Sequence, residues 1–230
     1  MDKGILYPAL AAFALTVVGC GATPPGGTGT AGSAGNPGAT GGATAQGGGT
    51  DWRQAALEVM RGSFRDRGIA TKDRIEQDDL QRVCSQYPDG NVPKDVAARL
   101  EKAEEATIRQ PADGKYLGDW RAGERIAQTG VGFQWTDTAQ TVAGGNCYAC
   151  HQLSKAELSF GNLGPSLYNY GKLRGQSDAI MKYTWGRVWN SQAFNACNNM
   201  PRFGHKGLLT EAQLKDLMAL LLDPASPVNQ

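Results

Sequence analysis

The chain has 230 residues, with 23 Lys and Arg against 22 Asp and Glu, which gives a formal net charge of +1. Proteins that bind nucleic acid usually concentrate basic side chains on one surface, so this balance predicts no nucleic-acid partner. Only two histidines are present, His151 and His205. Any chemistry that needs an imidazole must therefore use one of them.

The first 50 residues differ from the rest, because no charged residue occurs between Gly4 and Thr50. Lys3 and the apolar run 4–18 are typical of a secretory signal, and the run is short for a membrane-spanning helix. It leads into Val-Val-Gly-Cys20, which resembles the bacterial lipoprotein box. We assign residues 1–20 to a signal peptide, predict export to the periplasm and consider Cys20 a lipidation site. The alternative is ordinary cleavage that releases a soluble protein.

A Gly-rich segment follows the predicted signal, with 12 glycines in residues 21–50. Such a composition cannot bury enough apolar surface to offset its chain entropy, so we predict a flexible linker. With lipid on Cys20, this linker would tether the protein to a membrane by lipid only. Residues 51–230 remain, enough for one domain with some elaboration.

Helical periodicity dominates residues 51–230, and no convincing strand pattern occurs, so the fold class is predicted to be all-α. The clearest helix begins after Thr210, where Thr210 and Gln213 form a capping box, and ends at Asp223-Pro224. The periodicity fades over 134–175 and 190–207, which would be reasonable if a large ligand lay between the two stretches. The predicted helices span 51–67, a segment that begins at Pro93, 119–130, 178–189 and 210–223.

Residues Cys147-Tyr148-Ala149-Cys150-His151 form a C-x-x-C-H motif, which is the attachment signature of a c-type haem. Cys147 and Cys150 can each form a thioether to the same porphyrin, and His151 can then ligate the iron. A thioredoxin-like redox pair would need a βαβ pattern, which is absent. A zinc site with Cys84 and Cys197 would leave the adjacent histidine unexplained. We therefore predict one covalent haem c.

A second axial ligand can be sought among the methionines and His205. Met218 and Met181 lie in predicted helices, and Met60 lies on the first apolar stripe, where core packing explains them. Met200 lies in a stretch without periodicity and is followed by Pro201, which favours a fixed ligand. His151 and Met200 are therefore the predicted axial ligands, by the general pattern of His/Met ligation in cytochromes c.

Three further positions are assigned around this site. We predict that Pro165 directs its backbone carbonyl at His151 and so orients the ring, although Gly-Pro also occurs in ordinary turns. Arg202 is a candidate partner of the haem propionates, with a solvated charge as the alternative. Cys84 and Cys197 remain as a pair in an oxidising compartment, which predicts a structural disulfide. The alternative for Cys197 is a metal ligand or a reactive thiol.

The stretches Gly-Asp119-Trp120, Gly145-Asn-Cys147-x-x-Cys150-His151 and Asn162-Leu-Gly-Pro165-Ser-Leu resemble class I cytochromes c. The tail, with Asn-Asn-Met200-Pro-Arg202-Phe-Gly and Asp223-Pro-Ala-Ser-Pro-Val-Asn229, resembles SoxX, the monohaem subunit of the SoxAX thiosulfate-oxidising cytochrome. The resemblance covers about half of the chain. It implies a class I cytochrome c domain over 116–230, preceded by a helical N-terminal extension over 51–115.

A SoxX-like protein would act with defined partners. The resemblance implies a heterodimer with a SoxA-type cytochrome, which holds the catalytic haem of an L-cysteine S-thiosulfotransferase. The complex conjugates thiosulfate oxidatively to a cysteine of the carrier protein SoxYZ, and the SoxX subunit passes electrons to a small acceptor cytochrome c. On this interpretation none of the site residues is catalytic. The alternatives are a freestanding periplasmic electron-transfer cytochrome c and a ligand-sensing cytochrome.

Overall fold

Helices make up the regular structure of the computed structural model, which describes residues 51–230. Among these residues no strand occurs beyond one isolated bridge between Arg67 and Ala70, which confirms the all-α prediction. The signal peptide 1–20, the lipidation of Cys20 and the linker 21–50 lie outside the described residues. The helices are α1 (Trp52–Ser63), α2 (Asp79–Cys84), α3 (Lys94–Glu105), α4 (Trp120–Gln128), α5 (Tyr170–Arg174), α6 (Asp178–Trp189) and α7 (Glu211–Leu222).

Helix α7 lies at the centre of the core. Its predicted capping box is present, because the Thr210 hydroxyl accepts from the Gln213 amide and the Gln213 side chain accepts from the Thr210 amide. All of its last six residues, 217–222, are buried. Helix α4 packs across it at Gly123, where an added Cβ would lie 2.2 Å from the Asp216 carbonyl oxygen. Only glycine therefore allows the two helices to approach this closely.

Helix α6 connects the core to the end of the N-terminal extension. Trp185 is fully buried, and its indole Nε1–H donates to the Arg109 carbonyl at 2.7 Å. Trp189 donates in the same way to the Thr107 carbonyl at 3.1 Å. Both carbonyls belong to the chain just after α3, so the extension and the core are joined through buried hydrogen bonds.

The extension contributes three helices, of which α2 was not predicted. Helix α3 follows Pro93 as predicted, although Pro93 is the residue before the helix and not its first residue. Helix α2 has only six residues, and its capping box is formed by Asp78 and Gln81. Helix α1 begins after Asp51, as predicted, but none of its residues is buried. Its apolar stripe is open to solvent, and Trp52 is 78% exposed.

The stretches predicted to lack periodicity are mostly irregular. The first contains α5 and the short 3-10 turn Cys147–Ala149, and the second contains the 3-10 turn Ser191–Ala193. The described residues, 51–230, group together as one compact unit. Within the described residues, no helix has the length and apolar character that crossing a membrane requires.

Candidate functional site

The C-x-x-C-H motif folds into a tight turn that begins with the 3-10 segment Cys147–Ala149. Asn146 precedes it in the left-handed region, with φ of +46°. The Cys147 carbonyl then accepts from the amides of Cys150 at 3.1 Å and His151 at 2.9 Å. Both thiols of the motif are free. Two unpaired thiols and an imidazole are thus held within one turn.

The Cys147 thiol lies in apolar surroundings. Its Sγ, the Phe203 ring and the Leu209 side chain all approach the same face of Gly145, at 3.2 to 3.7 Å from the position of an added Cβ. Burial raises the pKa of Cys147 to about 12. Reactive redox thiols have lowered pKa values instead. The surroundings of Cys147 therefore differ from those of a reactive redox thiol.

The His151 ring is held in one orientation. Its Nδ1 lies 2.7 Å from the Pro165 carbonyl oxygen. Because a carbonyl only accepts, Nδ1 must carry a proton, and in the neutral ring the lone pair is then on Nε2. This contact is the one predicted for Pro165, and it is the usual support of a metal-ligating histidine.

Gly164 makes this orientation sterically feasible. A Cβ at Gly164 would lie 2.2 Å from the Cε1 of His151, so the ring packs directly on the glycine backbone. The Gly164 amide donates to the Cys150 carbonyl at 2.8 Å, and the Gly161 amide donates to the Tyr148 carbonyl at 2.8 Å. The segment 161–165 is thereby attached to the motif along its length.

Tyr148, inside the motif, attaches the turn to α4. Its hydroxyl donates to the Glu124 carboxylate at 3.0 Å. Burial raises the pKa of Glu124, and burial together with the nearby Glu124 charge raises the pKa of Tyr148. The motif is therefore attached both to α4, through Tyr148, and to the segment 161–165, through backbone hydrogen bonds.

Apolar side chains near the motif remain open to solvent. Leu163 is 81% exposed, Leu158 is 92% exposed and Phe160 is 45% exposed. Leu163 lies in the segment 161–165 that is attached to the motif, and Leu158 and Phe160 come just before that segment in the chain. A flat apolar group attached to Cys147 and Cys150 could cover such a surface, and the thiols, the free Nε2 and these side chains together fit a c-type haem.

Met200 lies in the irregular stretch that follows the 3-10 turn Ser191–Ala193. Its amide donates to Asn198 Oδ1 at 2.9 Å, and its carbonyl accepts from the Ser191 hydroxyl at 2.9 Å. Its side chain is partly buried against the apolar cluster that also contacts Cys147. A cavity of about 1640 Å³ lies beside Met200, but His151 does not line it. Ligation of iron by Met200 thus stays a prediction.

The other candidate axial ligands, three methionines and His205, lie in different surroundings. Met218 is fully buried on α7 and Met181 packs against the core, which confirms both as packing residues. Met60 lies on α1, which has no buried residue, and is 36% exposed, so the core packing expected for Met60 is wrong. His205 is bonded through its amide to the Trp189 carbonyl at 3.1 Å, and burial lowers the pKa of its ring.

Arg202 has protein partners that the sequence did not predict. Its side chain is only 5% exposed, and its guanidinium donates to Asp78 and, at 3.2 Å, to Glu104. Both carboxylates belong to the N-terminal extension. The alternative of a solvated charge is therefore wrong for Arg202. Pairing of Arg202 with the haem propionates stays a prediction, and the propionates would have to share the guanidinium with Asp78 and Glu104.

Cys84 and Cys197 form the predicted disulfide, with their Cα atoms 5.4 Å apart. The bond removes both sulfurs from a zinc site with Cys147 and Cys150. Among residues 51–230, no three His, Cys, Asp or Glu side chains are grouped so that they could hold a metal ion. A bare metal centre is thus not supported by the side chains that the structure places.

Asp78 and Glu104 are the residues near the site that sequence reasoning missed. The signal for Asp78 was local, since Asp78 and Gln81 form a capping box three residues apart. No local signal marks Glu104, because α3 contains several charged residues and the sequence does not show which of them is buried.

Comparison with known proteins shows a similarity to a bacterial lipoprotein. Over 156 residues the chain is 38% identical to an uncharacterized lipoprotein of Aquifex aeolicus (strain VF5), an alignment that covers 67% of this chain and 73% of the relative. The chain therefore belongs to the same family as that lipoprotein. No protein-family model matches it.

Proposed function

We propose that this member of the Aquifex lipoprotein's family is an exported c-type cytochrome that carries one haem on Cys147 and Cys150. The observation that carries the proposal is the His151 geometry. Its Nδ1 is bonded to the Pro165 carbonyl at 2.7 Å, so the free Nε2 is that of an oriented metal ligand. The relative's name, a lipoprotein, supports lipid on Cys20 and a periplasmic location.

The residues around the motif have distinct roles in this proposal. Haem, when bound, supplies a one-electron iron couple. The hydrogen bond to Pro165 fixes the His151 tautomer and raises the basicity of Nε2. Phe203 and Leu209 keep water away from Cys147. Met200, as the second ligand, would contribute a thioether that favours the reduced iron and raises its potential.

With both axial positions filled, the chain would move electrons and not bind substrate at the iron. We therefore propose the SoxX role. The chain would take electrons from the haem of a SoxA-type cytochrome during conjugation of thiosulfate to SoxYZ and pass them to a small cytochrome c. The support for this finer proposal is the set of motifs around Cys147, Pro165, Met200 and Asp223, together with an all-α fold.

Haem attachment is tested by mass spectrometry of the full-length protein purified from a host that matures cytochromes c. We expect one haem per chain, located on the peptide that contains Cys147 and Cys150. A Cys147→Ser/Cys150→Ser variant should lose it, whereas Cys84→Ser/Cys197→Ser, which replaces two cysteines outside the motif and leaves no unpaired thiol, should keep it. Haem that is absent from the wild type, or that remains on the double variant, would contradict the proposal.

The SoxX role needs a separate experiment, which is purification from the native host under gentle conditions followed by identification of bound proteins. We expect a second cytochrome in stoichiometric amount and reduction of the haem by thiosulfate in the presence of its carrier protein. A lone monohaem protein that thiosulfate does not reduce would instead favour a freestanding periplasmic electron carrier. Rapid binding of carbon monoxide by the reduced wild type would favour the sensor.

A further inference from the structure

The loop that contains Met200, residues 190–206, has little regular structure of its own. Two of its internal contacts hold the backbone of Met200. The Ser191 hydroxyl donates to the Met200 carbonyl, and the Met200 amide donates to Asn198 Oδ1. Cys197 has φ of +63°, in the left-handed region that a non-glycine residue rarely adopts. Such a conformation persists only where the surroundings impose it. The loop therefore needs restraints from outside.

The first restraint is covalent. Cys197 is bonded to Cys84, which is the last residue of α2 and lies 113 positions earlier in the chain. The bond is placed three residues before Met200. It fixes the entry to the Met200 segment against the N-terminal extension.

The second restraint is a buried ion-pair network on the other side of Met200. Arg202 is 5% exposed, and its guanidinium bonds to Asp78 at the start of α2 and to Glu104 in α3. Glu104 is itself only 12% exposed and also accepts from Asn190 Nδ2 at 2.7 Å. A buried guanidinium without a carboxylate would be strongly unfavourable, so Arg202 requires the extension.

Two further contacts complete the arrangement. Glu101, one turn before Glu104, accepts from the Ala196 amide at 3.0 Å. Lys206 Nζ lies 2.6 Å from the Asp78 carboxylate. The extension thus contacts the loop at Ala196 and Cys197 before Met200, and at Arg202 and Lys206 after it.

We propose that Asp78, Cys84, Glu101 and Glu104 form a clamp that holds the Met200 loop in place, and that Arg202 is a positioning residue for Met200. This gives the N-terminal extension a role in setting the distal side of the site. The effect on iron rests on the proposed function. The clamp itself is a property of the polypeptide, so it can be tested without reference to iron.

The test uses the full-length protein with Arg202→Gln. Arg82→Gln is the matched control, because Arg82 also pairs with a carboxylate of α2, Asp79, but is 58% exposed. We expect the backbone amides of Ala196 and Met200 to exchange hydrogen at least tenfold faster in Arg202→Gln and at the wild-type rate in Arg82→Gln. In the haem-loaded protein, Arg202→Gln should also bind carbon monoxide at least tenfold faster when reduced and lose the methionine–iron absorption band.

The outcomes separate the clamp from the proposed function. Exchange within twofold of wild type in a folded Arg202→Gln protein would overturn the clamp. Faster exchange with unchanged carbon monoxide binding would overturn the positioning of Met200. If the wild type carries no haem, the proposed function fails, and the exchange rates alone decide whether the clamp exists. If Arg202→Gln does not fold, Cys84→Ser/Cys197→Ser is measured in the same way.

Discussion

The disulfide offers the sharpest quantitative prediction. The bond between Cys84 and Cys197 closes a loop of 113 residues. Restricting the unfolded chain by a loop of that length should stabilise the folded state by about 4.8 kcal/mol at 25 °C. Removal of native disulfides from small domains typically costs about 2–5 kcal/mol. We therefore expect Cys84→Ser/Cys197→Ser to lower the free energy of unfolding by about 3–5 kcal/mol.

The measurement is urea unfolding of the full-length protein, followed by circular dichroism. The double variant should also show a steeper dependence on urea, because its unfolded chain is less compact and exposes more surface. A reducing agent should lower the stability of the wild type to that of the variant and leave the variant unchanged. A loss below about 1 kcal/mol would refute the view that the disulfide is a main restraint between the extension and the Met200 loop.

Three further predictions concern packing, the site and pH. Met218→Ala should cost about 2–5 kcal/mol in urea unfolding, because the side chain is fully buried, whereas Met60→Ala on exposed α1 should change stability by less than about 0.5 kcal/mol. Gly164→Ala should displace the His151 ring and reduce the yield of haem-loaded protein, whereas Gly62→Ala, which has open space around it, should not. Burial raises the pKa of Asp78, but hydrogen bonds from Lys206, the Gln81 amide and Arg202 outweigh it and hold the pKa well below its usual range. Because the pKa of Asp78 is lower in the folded state, the ionised carboxylate stabilises the fold above the unfolded-state pKa, about 3.9. This contribution to the free energy of unfolding is lost as the pH falls below that value. Asp78→Asn should therefore flatten the decline in unfolding free energy between about pH 5 and 2, and an unchanged slope would contradict the assignment.

Features that depend on neighbouring residues were predicted well. The capping box of Thr210 and Gln213 and the start of α4 at Asp119 depend on side chains within three positions of the helix end, so the sequence contains their full cause. The contact between His151 and the Pro165 carbonyl spans only 14 positions, so its two partners are still close in the sequence. The disulfide could be predicted because the chain offers few cysteines to pair.

Features that depend on distant residues were not predicted. The partners of Arg202 lie 124 and 98 positions away, at Asp78 and Glu104. The capping box marks Asp78 as the start of a helix, but nothing in the local sequence indicates that Asp78 or Glu104 pairs with Arg202. The exposure of the apolar stripe on α1 was missed for the same reason, because periodicity predicts an amphipathic helix but does not indicate what its apolar face contacts.

These distant contacts also change how the boundary near residue 115 should be understood. The resemblance to class I cytochromes c begins near Asp119, but Trp185, Trp189 and Arg202 of the later segment have their partners before it. Without residues 51–115, the Trp185 indole N–H would lose the Arg109 carbonyl, and Arg202 would lose both of its carboxylates. Each loss leaves a buried polar or charged group unpaired, and an uncompensated buried charge alone costs about 3–5 kcal/mol. Typical domains are stable by only about 5–15 kcal/mol. The boundary therefore marks where the resemblance starts, whereas the extension and the later segment depend on each other for stability.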